Sequence, residues 1–289
     1  MRTSRPPHRW LFNLFLLCGI CVSFPPFAEA DTTATTAQAH ASKSHSMKRR
    51  HPGEGRANFS LSLEVDQIKD GGTVGIYEFF GEYAVHPRFW VGFSVPFWSI
   101  RGGLLPSNDH LGDIGLHLKG VIWKHKHPKL ALDFGSSFYF PTGNADESLG
   151  AGVTVADPFL NLSYEWKRLS FYQWVEGSFQ MAEVVNPSLL FETGMNVILI
   201  RGALPLHFLL SLQGSTFFVN DKFRDKTTQL YIFSGLSLDL TRHWSATLAG
   251  KALVSGDLSL KPNLDATDTA TGLLSDVKVG FLFNLGYSF

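Results

Sequence analysis

Charged side chains recur at every second position within several apolar segments, and this spacing limits the chemistry they could perform. Side chains two positions apart in an extended strand lie on one face. Such a polar face must point away from lipid, because a lipid-facing Lys near the bilayer midplane costs about 2–4 kcal/mol. The candidates for a face that lines a polar interior are Glu78, Glu82, Asp113, His117, Lys119, Asp133, Glu176, Glu192, His207, Lys251 and Lys278.

Two interpretations of this inner face stay open. The charged residues could line a polar passage, or they could pair across the interior and fill it. Lys119 and Asp133 are candidate partners, since they fall on neighbouring predicted strands. Phe80 and Trp98 occupy the same alternate positions as the charged residues of their strands and are therefore expected on the inner face. A lining of rings and charges suits small amphipathic or aromatic solutes, whereas rings in a narrow barrel would plug it.

Catalysis is the weaker alternative, and its candidate is His243-Trp244-Ser245. A spacing of two would place the imidazole and the hydroxyl on one strand face, as nucleophile activation requires. The pair falls at a short turn, which leaves a lipid hydrolase as a minor hypothesis. The sequence has no G-x-S-x-G, H-E-x-x-H or P-loop motif. No enzymatic activity, cofactor or metal is therefore predicted.

Composition favours a β protein with an apolar outer surface. The 289 residues include 25 Lys+Arg and 25 Asp+Glu, and only 17% of residues are charged. This balance disfavours a nucleic-acid partner. With 27 Gly and 13% aromatic residues, the chain is typical of a barrel whose outer face contacts membrane lipids.

The first residues are predicted to be removed. A positive region containing Arg2, Arg5 and Arg9 precedes a short apolar stretch and an A-x-A site ending at Ala30, which is typical of a signal peptide over 1–30. Both cysteines, Cys18 and Cys21, lie within this segment. Residues 31–56 are rich in Ser, Thr, His and Lys and are predicted to form a disordered periplasmic tail. His40, His45 and His51 leave loose metal binding by this tail open.

Residues 57–289 alternate between apolar and polar residues, which predicts β-strands. Segments of this kind cross a bilayer at a tilt with about 9–11 residues each. We expect twelve strands in an all-β, transmembrane, antiparallel up-and-down barrel. Their expected ranges are 57–66, 73–85, 88–98, 112–124, 129–140, 157–166, 169–181, 188–200, 206–216, 228–240, 244–254 and 275–289.

The connections between these strands alternate in length. Short turns such as His86-Pro87 and Lys167-Arg168 alternate with longer polar links such as 141–156. Outer-membrane barrels have short periplasmic turns and longer outer loops. Trp166 and Trp244 flank short turns on the apolar parity and are expected in an interfacial aromatic girdle. The predicted location is therefore the outer membrane of a Gram-negative bacterium.

The last predicted strand carries the clearest alternation. Its apolar positions end in an aromatic residue at the C-terminus, and it resembles the signal that the barrel assembly machinery recognises in outer-membrane proteins. That machinery and the outer-membrane lipids are accordingly expected partners. The residues predicted to form this assembly signal are Phe281, Phe283, Leu285, Tyr287 and Phe289.

A block in the middle of the chain resembles a known family. It contains Gly112-Asp113-Ile114, Lys119 and, after the next apolar segment, Pro141-Thr142-Gly143. This G-D-[LI] strand followed by P-T-G is similar to the outer-membrane family named after the meta-pathway of phenol degradation. The resemblance implies a barrel of twelve or so strands that takes up hydrophobic or aromatic compounds. It does not account for His117 or for the basic residues of the N-terminal tail.

Together these features predict an outer-membrane channel or transporter. It would allow passive passage of small hydrophobic, aromatic or amphipathic compounds. The alternative is a barrel with a filled lumen that serves a structural, adhesive or scaffold role.

Overall fold

The structure is a computed structural model. It describes residues 57–68, 72–102, 108–125, 129–143, 152–181, 188–219, 225–256 and 277–288. The predicted signal peptide, the predicted tail and Phe289 lie outside the described residues. Among the residues described, no helix is both long enough and apolar enough to cross a membrane.

The described residues form one antiparallel sheet that closes on itself. Strands that follow one another along the chain pair, except that β4 and β5 both pair with β3, and the pairing of β1 with β13 closes the ring. The strands are β1 (Ala57–Ile68), β2 (Thr73–His86), β3 (Phe89–Arg101), β4 (Asn108–Leu111), β5 (Ile114–His125), β6 (Lys129–Phe140), β7 (Val155–Trp166), β8 (Leu169–Gln180), β9 (Ser188–Ile200), β10 (Leu206–Val219), β11 (Asp225–Asp239), β12 (Trp244–Gly256) and β13 (Val277–Ser288).

The expected twelve-stranded all-β barrel is confirmed, with one interrupted strand. Both β4 and β5 pair with β3, so they are two parts of a single barrel strand. The break falls at Gly112 and Asp113, where the sequence predicted the start of a continuous strand over 112–124. Gly112 N donates to the Pro96 carbonyl oxygen at 2.8 Å, which keeps the break attached to β3.

The barrel wall separates two chemically different faces. On β1, for example, Leu61 is 54% exposed while its neighbour Ser62 is 7% exposed. The exposed apolar side chains point outward, as expected for a lipid-facing surface, and the polar parity points into the lumen. Because successive strand residues alternate in direction, this separation is a direct consequence of the period-two sequence.

Aromatic side chains lie on the outer face near the short connections. Trp166 and Trp244 are both exposed. The ring of Trp244 lies 4.7 Å from that of Tyr287 on the neighbouring strand β13. Aromatic rings at this level of an outer-membrane barrel meet the interface between lipid tails and water.

Candidate functional site

The structure places the predicted inner-face residues in three environments. Asp113, Asp133, Glu176, Glu192 and Lys251 are buried, and Lys278 is exposed. The remaining candidates are half-buried, namely Glu78, Glu82, His117, Lys119 and His207.

One buried group is an ion cluster on β1 and β12, which we call the buried triad. The Lys251 ammonium donates to the carboxylates of both Glu64 and Asp66. Its side chain reaches across β13 above Gly280, where a Cβ atom would lie only 2.7 Å from Lys251 Cε. Glycine at this position is therefore required for the lysine to meet its two partners. The predicted set included Lys251 but not Asp66, although Asp66 lies on the polar face of β1.

Apolar residues next to the buried triad help to separate it from water. Val74 and Ile76 of β2 pack with Tyr231 and Phe233 of β11 in one buried cluster. Val74 is the pairing partner of Asp66, Ile76 that of Glu64, and Phe233 that of Lys251. Charges in such an environment are costly to bury unless they are paired and hydrogen-bonded.

A second ion pair joins β2 and β5. Lys119 Nζ donates to Glu82 Oε2 at 2.7 Å, and Asn58 Nδ2 donates to Glu82 Oε1 at 2.8 Å. The prediction that Lys119 pairs with Asp133 was wrong. Lys119 lies opposite Gly135 on β6, which leaves Asp133 diagonal to it, and the long lysine side chain instead reaches over β3 to Glu82. Its ammonium also lies 5.3 Å from the centroid of the Trp90 ring.

His117 is held by two serine hydroxyls from the flanking strands. Its Nδ1 lies 2.8 Å from Ser137 Oγ, and its Nε2 lies 3.0 Å from Ser94 Oγ. The ring contacts Phe80 at 5.2 Å and Tyr139 at 5.7 Å between centroids. Fixing both ring nitrogens orients the imidazole and places it within a row of rings on the inner face.

Seven inward residues around these last two groups are partly accessible to water, and we call them the half-buried strip; the buried Trp90 and Ser94 lie among them. The seven combine carboxylates, a lysine, a histidine and large apolar rings. The strip runs along β2, β3 and β5 and consists of Glu78, Phe80, Glu82, Pro96, Trp98, His117 and Lys119.

Strands β6 to β9 carry a third group, which we call the acidic wall. It consists of Asp133, Asp157, Glu176 and Glu192, each no more than 5% exposed. Asn161 Nδ2 donates to Asp133 Oδ2 at 3.1 Å, and the Tyr172 hydroxyl donates to Glu192.

Aromatic rings accompany these carboxylates. The rings of Phe159 and Trp174 stack with centroids 3.9 Å apart, and both pack against Leu190. Glu176 lies opposite Phe159, and Glu192 lies opposite Trp174.

His207 lies towards the end of the barrel that carries the short connections. Its Nδ1 is 3.2 Å from Asn196 Oδ1, and its Nε2 is 3.2 Å from Asp239 Oδ2. These contacts join β9, β10 and β11 on the inner face.

Asp113 has a structural contact at the opposite end of the barrel. Its Oδ1 accepts a hydrogen bond from Gly143 N at 2.9 Å. Thr142 Oγ1 donates to the Gly112 carbonyl oxygen at 3.1 Å and accepts from Ile114 N at 2.9 Å. The G-D and P-T-G parts of the sequence block therefore contact each other. Burial raises the pKa of the Asp113 carboxyl, and the amides of Gly143 and Thr142 act in the opposite direction.

The predicted assembly strand exposes its aromatic side chains to the outside. Phe281 is 63% exposed and Phe283 is 44% exposed, while Leu285 and Tyr287 are half-buried. Leu282, which departed from the alternation, is a buried inward residue.

The residues considered for catalysis do not contact each other. His243 Nδ1 donates to the Ser288 carbonyl oxygen at 2.7 Å, whereas Ser245 is a buried side chain of β12. No hydrogen bond joins His243 to Ser245, although nucleophile activation requires one. Within the described ranges, no group of three or more His, Cys, Asp or Glu side chains has the geometry to hold a metal ion.

Comparisons with known proteins define the class of fold. No protein-family model matches the sequence, and no curated protein matches it. An outer-membrane channel from Pseudomonas putida F1 is similar, with a TM-score of 0.60 and 11% identity over 81% of this chain and 96% of that chain. The KdgM porin has a TM-score of 0.50 and 9% identity over 80% of this chain and 99% of that chain.

Because the sequence identities to both structures are this low, the similarity concerns the fold alone. The chain has the fold of the outer-membrane β-barrels of Gram-negative bacteria, and the predicted location agrees with that fold.

Proposed function

We propose that this protein is an outer-membrane channel or transporter for passive passage of small hydrophobic, aromatic or amphipathic compounds. The half-buried strip is the observation that carries this proposal. It is partly accessible to water and includes the rings of Phe80 and Trp98 beside the ion pair of Lys119 and Glu82.

The chemistry of the strip favours solutes with one apolar and one polar part. Aromatic rings offer stacking and apolar contact to a planar solute. The Lys119–Glu82 pair has no net charge, because its two charges cancel. It can nevertheless orient the polar part of a solute by hydrogen bonding. Small-molecule sites combine apolar surface for contact with polar groups that orient the ligand, and the strip offers both. The resemblance of the Gly112 and Pro141 block to the phenol meta-pathway family supports the same solute class.

Proteoliposome swelling with a neutral aromatic alcohol tests this proposal. Phe80 and Phe79 are neighbours on opposite faces of β2, the former inward and the latter 41% exposed to the outside. We expect Phe80→Ala to change the rate of aromatic-solute entry relative to a sugar of similar size. Phe79→Ala is the matched control and should leave that ratio unchanged. Equal ratios in the wild type and both variants would contradict passage along the strip.

A filled barrel with a structural, adhesive or scaffold role is the second candidate. The buried triad, its apolar cover and the buried acidic wall favour it, because each of these inner-face groups is shielded from water. Conductance in a planar bilayer separates the two candidates. A steady current carried by the folded protein supports the channel, and its absence in repeated insertions supports the filled barrel.

We also propose that the barrel assembly machinery recognises the C-terminal strand that ends at Phe289. The outward side chains of Phe281 and Phe283 support this proposal, since they present an apolar face at the closing strand of the barrel. Deleting Phe289 should reduce insertion into the outer membrane while export continues. Normal amounts of the truncated protein in the outer membrane would contradict it.

A further inference from the structure

The two ends of the barrel differ in charge. Short connections mark the periplasmic end of an outer-membrane barrel, and here they carry most of the exposed basic side chains among the described residues. Asp109 is the only exposed acidic residue among those whose exposure the structure describes, and it lies at the opposite end. Lys129, at the short connections, pairs with Glu165. The other exposed Lys and Arg residues at that end are Arg88, Lys124, Lys167, Arg168, Arg201 and Arg242.

Three of these bases lie together on two neighbouring turns, and we call them the basic cluster. Lys167 and Arg168 are the two residues between β7 and β8, and Arg201 directly follows β9. Arg201 Nη2 donates to the Lys167 carbonyl oxygen at 3.1 Å, and Ile198 N donates to the Arg168 carbonyl oxygen at 2.8 Å. These hydrogen bonds hold the two turns against each other. Among the described residues, no carboxylate lies within ion-pairing distance of the three bases.

The basic cluster lies at the level of the membrane surface. Trp166 is exposed on the outer face, and the Lys167 ammonium lies 5.0 Å from the centroid of its ring. A cation held over an outward ring faces the membrane and not the lumen. Tryptophan rings of membrane proteins lie where the lipid tails meet the headgroups. The ammonium is therefore placed beside the headgroup phosphates of the periplasmic leaflet.

The backbone of Lys167 is an independent sign that its side chain has a function. Its φ is 56°, in the left-handed region that glycine adopts far more readily than lysine. Two-residue hairpin turns commonly have glycine at a position of positive φ. Backbone strain of this kind is often found at functional sites. The ammonium over Trp166 is the group that a glycine at this position would lack.

We propose that the basic cluster is a binding site for anionic phospholipids of the periplasmic leaflet, with Lys167, Arg168 and Arg201 contacting the headgroup phosphate. Ammonium and guanidinium groups bind phosphate through charge-assisted hydrogen bonds, and arginine can form two of them in parallel. The acyl chains would lie along the outward side chains of Leu160 and Leu162 on β7. The site goes beyond the proposed function, because it would also exist in a barrel that conducts nothing.

Native mass spectrometry of the purified protein tests the site. The protein in detergent is mixed with equal amounts of phosphatidylglycerol and phosphatidylcholine that have the same acyl chains, and the bound lipids of each kind are counted. We expect the wild type to retain more phosphatidylglycerol. Lys167→Gly with Arg201→Gln should lower this preference about fivefold for each base removed, as expected for a basic residue at an anionic membrane surface.

Two control variants show whether the position of the charges matters. Lys167→Arg with Arg201→Lys keeps both charges in the basic cluster and should keep the preference for phosphatidylglycerol. Arg101→Gln with Lys278→Gln removes two exposed bases at the opposite end of the barrel and should also leave the preference unchanged. Raising the salt from 0.1 M to 1 M shortens the Debye length from about 10 Å to about 3 Å, so it should weaken the preference of the wild type.

The single variant Lys167→Gly separates lipid binding from stability. Glycine adopts a φ of 56° without strain, so this variant should unfold in detergent at the denaturant concentration of the wild type or at a higher one. It should nevertheless retain less phosphatidylglycerol. A lower stability together with an unchanged lipid preference would give the lysine a structural role and overturn the proposal.

Three further outcomes would overturn the site. The first is equal retention of the two lipids by the wild type, and the second is a preference that Lys167→Gly with Arg201→Gln does not lower. An equal loss in Arg101→Gln with Lys278→Gln is the third, because it would mean that net charge alone causes the preference. Binding of soluble polyglutamate without any preference between the lipids would assign the basic cluster to an acidic protein instead.

Discussion

The barrel interior contains two lysine ion pairs that differ in their surroundings. Lys251 meets Glu64 and Asp66 with only 6% of its side chain exposed, whereas Lys119 meets Glu82 with 25% exposed. Each pair reaches over an intervening strand: Lys251 passes over Gly280, where a Cβ would collide with it, and Lys119 lies beside Trp90. A lysine that reaches over one strand therefore serves two purposes, one to fix the wall and the other to line a water-accessible surface.

Environment decides what each pair contributes. Removing one partner of a buried ion pair leaves an uncompensated charge and costs about 3–5 kcal/mol. An ion pair that water reaches contributes about 1 kcal/mol or less. The buried triad should therefore dominate stability, and the half-buried strip should dominate passage.

The largest expected effect follows from Lys251→Met. The variant leaves Glu64 and Asp66 as two adjacent buried carboxylates, and the free energy of unfolding in detergent should fall by about 3–5 kcal/mol. Combining it with Glu64→Gln and Asp66→Asn removes the charges and should recover much of that loss. If Lys251→Met unfolds at the same denaturant concentration as the wild type, the triad does not stabilise the barrel.

A smaller loss of stability is expected for Gly280→Ala. The added Cβ would lie 2.7 Å from Lys251 Cε and would also meet Asp66, so the triad must shift. Overpacking of this kind costs about 1–3 kcal/mol. Gly250→Ala is a matched control on the neighbouring strand, because its Cβ would meet nothing closer than 3.8 Å. Unfolding in detergent should separate the two variants, and equal stabilities would contradict the close packing over Gly280.

The smallest expected loss of stability accompanies Lys119→Met. Removing this partially exposed partner of Glu82 should cost about 1 kcal/mol of unfolding free energy. The change of charge should nevertheless alter the ion preference of the current, measured as the reversal potential in a salt gradient. Glu82→Gln should shift the reversal potential in the opposite direction. If Lys119→Met lowered the free energy of unfolding as much as Lys251→Met does, the Lys119–Glu82 pair would lie in an interior that water does not reach.

The sequence determined much of the fold because its alternation is local. The period of two in β1 and β13 predicts strands, faces and approximate bounds without knowledge of any neighbour. The interruption at Gly112–Asp113 was missed, because it depends on Thr142 and Gly143 some 30 residues away. Parity likewise placed Lys119 on the inner face.

The carboxylate partners of the inner-face lysines could not be predicted from the alternation. The pairing of Lys119 with Glu82, and of Lys251 with Glu64 and Asp66, crosses an intervening strand. It depends on strand register, on the reach of a long side chain and, for Lys251, on the room that Gly280 leaves. Sequence parity alone contains none of these, so the expected Lys119–Asp133 pair was wrong. For Lys251, the inward Gly280 on the neighbouring strand is the signal that would have pointed to Glu64 and Asp66.

Thiol labelling during current recording tests most directly whether solutes pass along the half-buried strip. Glu78→Cys places a thiol on the strip, and Ala249→Cys places one at a buried inward position on β12. A water-soluble methanethiosulfonate reagent should modify the first and reduce its current, and it should leave the second unmodified with its current intact. An unchanged current after complete modification of Glu78→Cys, or equal modification at both positions, would contradict a passage along the strip.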